Sequence, residues 1–90
     1  MGAVKAIAIL MATLKEAASV YAAQSQRYED AYNTLREAGI ERPDDSTTAA
    51  TISDDLALTY AELLAASAAK WEAWRAMNAT EQQIAKAING

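Results

Sequence analysis

Every seventh residue from position 7 to position 35 is bulky and apolar or aromatic: Ile7, Leu14, Tyr21, Tyr28 and Leu35. Leu10, Ala17, Gln24 and Ala31 follow at plus three, and Met11, Ala18, Ser25 and Tyr32 at plus four. Residues three and four apart share one face of an α-helix, so this spacing writes a continuous stripe on a single rod. A stripe held over four heptads asks for another helix to cover it. The polar residues Lys5, Thr13, Glu16, Arg27, Asp30 and Glu37 fall on the back of the rod, together with Ile9 and Val20.

The rod is expected over residues 3–38, because its stop is written in the chain. Gly39 stands where a left-handed residue ends a helix, Ile40 follows it, and Leu35 lies where the two would touch, the pattern of a Schellman ending. Arg36 supplies a cation to the negative end of the helix dipole, and Pro43 bars resumption. Residues 39–52 carry proline, paired aspartates and hydroxyls and are expected to form a loop, long enough for part of it to pack or turn.

A second helix is expected over residues 53–77, with Ser53 as N-cap and Asp54 and Asp55 in the first turn. Its bulky face reads Leu56, Tyr60, Leu63, Leu64, Ser67, Trp71, Trp74 and Met77, and a shallower face reads Leu58, Ala65, Ala69, Ala73 and Ala76. A break is expected at Asn78 and Ala79, because Asn78 with Glu81 and Thr80 with Gln83 both have capping-box spacing. A short helix over residues 80–88 would follow; the alternative is that the second helix runs on through this point.

The expected fold is therefore all-α, a single domain over residues 1–90: a long antiparallel helical hairpin plus a short C-terminal helix. Ninety residues bury a thin core, and two helices cannot cover both of their own stripes. Dimerisation into a four-helix-bundle-like assembly, or docking on a larger partner, is expected to complete it.

Composition removes most chemistry. The chain has neither cysteine nor histidine, so it lacks the thiolate zinc ligand, the commonest general base and the usual pH switch. Glycines at 2, 39 and 90 make no phosphate loop. Asp44, Asp45, Asp54 and Asp55 lack the spacing of a calcium loop, and Glu16, Glu29, Glu62 and Glu72 lack the histidines of a bundle metal site. No catalytic residue, cofactor or metal is expected, and no enzyme. A net charge of −4 argues against nucleic acid as partner. Lys5 followed by the apolar residues 6–12 has the outline of a signal peptide, but the heptad stripe starts inside this run, which is also too short to span a bilayer. A membrane is thus not the expected partner.

What remains is a non-enzymatic protein–protein interaction module, a small acidic helical adaptor, assembly factor or inhibitor working through helix faces. Small proteins of this composition are common in phage and mobile-element genomes; a cytoplasmic place is expected, or a virion-associated one if the chain is phage-encoded. The partner is a protein, a second copy, or both. The candidate contact residues are Trp71, Trp74 and Met77, the tyrosines Tyr28 and Tyr32, and the Ile9 and Val20 side; the other expectation is that the two indoles cover the end of the core and the tyrosines pack within it. Lys70 and Arg75 flank the tryptophans, and aromatic and arginine side chains are typical interface anchors. The alternative function is a small-ligand-binding or peripheral membrane protein using the apolar N-terminal segment. In size the chain is similar to small secreted helical-hairpin dimers with a Trp-x-Gly turn; the loop here reads Gly39, Ile40, Glu41, Arg42, Pro43, and nothing carries over from them.

Overall fold

The computed structural model describes residues 2–89. Among these the chain is all-helical and has no strand. Helix α1 runs Gly2–Glu37, a single turn α2 runs Thr48–Thr51, and α3 runs Ala57–Asn89 behind a 3-10 turn at Asp54–Leu56. At 1.5 Å per residue α1 is about 54 Å long, close to the 58 Å long axis of a molecule that measures only 18 × 16 Å across. The radius of gyration is 18.0 Å, against about 12 Å for a compact chain of this length. The protein is a rod two helices thick.

α1 ends as its residues direct. Gly39 takes φ +101°, Ile40 N–H donates to the Leu35 carbonyl at 3.1 Å, and Gly39 N–H donates to that of Arg36 at 3.0 Å. These are the paired bonds of the Schellman motif, and Ile40 packs on fully buried Leu35.

The segment between the helices is a plug. Asp45 accepts hydrogen bonds from the Thr47 N–H and hydroxyl, both at 2.9 Å, which hold its carboxyl below the usual aspartate range. The buried Thr48 hydroxyl donates to the Arg42 carbonyl at 2.8 Å, the Arg36 guanidinium donates to the Glu41 carbonyl, and Pro43 is fully buried. Ile40, Ile52 and Leu56 close over Ala31, Leu35 and Leu63, with Tyr28, Tyr32 and Tyr60 around them.

Ser53 stands at the N-cap as expected, but of a 3-10 turn that leads into α3: its backbone is extended and its carbonyl accepts the Leu56 N–H at 3.1 Å, while its side chain makes no cap hydrogen bond. A second expectation for this helix is corrected. The break at Asn78 and Ala79 is absent, and α3 is one helix of 33 residues that nearly matches α1 in length, so no separate short helix exists among the described residues. Thr80 does not cap. It is buried, and its hydroxyl bonds back to the Ala76 carbonyl at 2.8 Å, which a threonine inside a helix can do. The packing repeat also runs straight through this point: Leu56, Leu63, Lys70, Met77 and Ile84 recur every seven residues, with Thr59, Ala66, Ala73, Thr80 and Ala87 between them, and all ten are at least half-buried.

That repeat keeps Leu56, Tyr60, Leu63, Ser67 and Met77 of the expected bulky face turned inward and corrects the placing of the other three. Its bulky face does not point wholly at α1. Leu64 is 52% exposed, Trp71 51% and Trp74 44%, while Ala66 and Ala73 are buried. Ala66 and Ala73 sit in the seam beside Leu56, Leu63, Met77 and Ile84, while Leu64 and both tryptophans stand outside it.

Candidate interaction surface

The seam between α1 and α3 divides the rod into two long sides. On one, Arg27 makes a two-pronged ion pair with Glu62, Nε to Oε2 and Nη2 to Oε1, both at 2.8 Å. Each partner stabilises the other's charge, raising the Arg27 guanidinium and lowering the Glu62 carboxyl. Farther along this side Val20 borders a shallow apolar groove with Ala17, Ala69, Ala73 and Ala76, rimmed by Glu72. Ile9, 60% exposed, lies about two helical turns before Ala17.

Across the seam lies the tryptophan side. Trp71 and Trp74 stand one turn apart with ring centroids 5.7 Å apart and planes at 79°, an edge-to-face pair held by ring electrostatics. They do not cover the end of a core; they sit near the middle of α3, open to solvent. Leu64 precedes Trp71 by two turns. Tyr28 and Tyr32 pack with ring centroids 6.0 Å apart beside the closed end, half-buried, and burial pushes the Tyr28 hydroxyl above its ordinary value. Met77 is half-buried in the seam.

The candidate contact residues therefore divide between two surfaces and the seam. Trp71 and Trp74 share one side, Ile9 and Val20 belong to the other, and Met77, Tyr28 and Tyr32 are engaged within the rod. Leu58, 79% exposed, and Leu64 escaped the sequence reading as surface groups. The signal that finds them is the seven-residue recurrence of small residues at 66, 73, 80 and 87, which marks the inward face and so puts the leucines outside.

Lys70 does not serve the tryptophans. Its Nζ lies 5.2 Å from the Tyr28 ring centre and 5.9 Å from that of Tyr21, a cation held between two rings in the seam. Among the described residues no three acidic, histidine or cysteine groups converge as a metal site would require.

One property of α1 corrects the length argument against a membrane. An 18-residue window within Gly2–Glu37 reaches a mean hydropathy of 1.4 with no more than two charged residues, and none of it is buried. By length and composition the helix is apolar enough to cross a bilayer, a test that core helices and signal sequences also pass.

No protein-family model, curated protein or solved structure matches the chain.

Proposed function

We propose that the chain is a non-enzymatic protein–protein interaction module: an antiparallel helical hairpin whose tryptophan side binds another helical surface, as an adaptor, assembly factor or inhibitor does. Support for the antiparallel reading comes from the pairings along the seam, since Tyr21 meets Lys70 and Arg27 meets Glu62. The observation that carries the binding role is the exposed tryptophan pair at the middle of a long face. Covering it removes roughly 200 Å² of apolar surface per chain, worth about 5 kcal/mol before the cost of association.

Replacing Trp71 and Trp74 together by alanine tests this. Far-UV circular dichroism is expected to stay helical while association, read by light scattering or by binding to a captured partner, is lost. Loss of helicity in the isolated chain would mean that the indoles hold the fold instead.

A second reading follows from the apolar window of α1, with the helix lying on or in a lipid bilayer. Flotation with liposomes separates the two. Protein that stays in solution supports the protein-binding reading, and protein that floats with the lipid supports the membrane one.

A further inference from the structure

We infer that the partner of the tryptophan side is a second copy of this chain, docked antiparallel about a two-fold axis that passes beside Ala22 of α1 and Trp71 of α3. The inference rests on the interaction reading above and adds to it the occupant, the face and the symmetry.

The first ground is area. The chain exposes 6343 Å², whereas a compact monomer of 9.6 kDa exposes about 5,100 Å². The excess, about 1,200 Å² per chain, is somewhat more than the ~800 Å² that each partner gives to a standard interface and falls in the range of permanent homodimers. A rod two helices thick becomes a four-helix bundle by stacking once on itself.

The second ground is charge. By helical spacing the Arg27 side carries Glu16, Asp30, Glu62 and Glu72 against Arg27 and Lys86, so two copies would meet there with like charges. The tryptophan side is apolar along its middle, and of the charges that helical spacing puts there, Lys15 and Glu29 stand in complementary places, with Arg36 and Glu81 farther out toward the ends. Lys15, Ala22 and Glu29 follow one another at a spacing of seven, which puts them in one column on the outer edge of α1. An antiparallel two-fold at Ala22 sets each Lys15 opposite the copy's Glu29, twice per dimer.

The third ground is that α3 accepts the same axis. Lys70 lies over Tyr21, so the level of Ala22 on α1 is the level of Lys70 and Trp71 on α3, close to the midpoint of Ala57–Asn89. About that level Trp71 comes beside its own copy, and Trp74 comes opposite the copy's Ser67, large against small. On α1 the residues nearest the axis are Ala18, Ala22 and Ser25, small enough for close approach. A parallel pairing would set each α1 against the copy's α3 and lose both Lys15–Glu29 pairs.

The chain contains no cysteine, so single cysteines report cleanly. Ala22→Cys, at an exposed position, is expected to form a disulfide-linked dimer under mild oxidation at least ten times faster than Ala23→Cys on the opposite side. Lys15→Glu and Glu29→Lys are each expected to weaken dimerisation about tenfold in sedimentation, and K15E with E29K to restore it; circular dichroism checks that each variant stays helical. Faster linking of the Ala23→Cys variant than of Ala22→Cys, or a dimer that ignores both charge reversals, overturns the docking geometry and leaves the interaction reading standing. A chain that stays monomeric at every concentration overturns the second copy as occupant, and the W71A/W74A test against other partners then decides the interaction reading alone.

Discussion

The two ends of this rod are built from the same two helices and the same seven-residue repeat, yet only one has a core. At the closed end Leu35 and Leu63 are 0% and 1% exposed, because Ile40, Ile52 and Leu56 add a third layer over the helix pair. At the open end Ile7, Leu10, Leu14 and Ile84 occupy equivalent seam positions and are only half-buried, while Val4, Ile9 and Ile88 stand in solvent. The difference is what lies on top of the pair. Two helices alone bury small residues such as Ala66, Ala73 and Thr80, whereas large side chains need a third element over them, which the loop provides at one end and nothing among the described residues provides at the other.

Truncating one seam leucine at each end gives the largest contrast. Leu35→Ala is expected to cost about 3 kcal/mol, a full core truncation, and Leu14→Ala in the monomer about half of that. Urea denaturation of both variants measures it, and equal costs would break the comparison. Gly39→Ala is expected to cost about 1 kcal/mol at the closed end. No atom lies within 4 Å of the added methyl, so the loss comes from forcing φ +101° on an L side chain. Lys70→Gln, at mid-rod, is expected to cost up to about 1 kcal/mol by removing the cation between Tyr21 and Tyr28, with the Tyr fluorescence environment as a second readout. The exposed Arg27–Glu62 pair should have the smallest effect. Glu62 is held below its ordinary value of 4.5, so its contribution is complete above that pH and is lost as pH falls through the lowered value. A thermal-melt series between neutral and acid pH should show that slope in the native chain and a flatter one in Glu62→Gln.

What could be read in the sequence was what is local. The stripe of α1 and its Gly39–Ile40 ending depend on spacing and on one glycine, and both stand in the structure, save that Met11 of the stripe is exposed near the open end. Two features of α3 depended on the neighbour instead. Thr80 with Gln83 has the spacing of a cap, but a cap competes with the packing of Thr80, Ile84 and Ala87 against α1, and packing wins. The inward face was hidden for a related reason. Side-chain size grouped Leu64, Trp71 and Trp74 with Leu56, Leu63 and Met77, whereas the seven-residue recurrence of Ala66, Ala73, Thr80 and Ala87 marks the seam and leaves the first three outside it. The candidate surface becomes visible once that recurrence fixes the inward face.

A second copy on the tryptophan side, as proposed, would show in both mass and thermal stability. Sedimentation equilibrium of the purified protein, joined to thermal melting across a hundredfold range of concentration, addresses it directly. A dimer of about 19 kDa whose melting temperature rises with concentration is the expected result. A 9.6 kDa monomer at every concentration, melting at one fixed temperature, would contradict it.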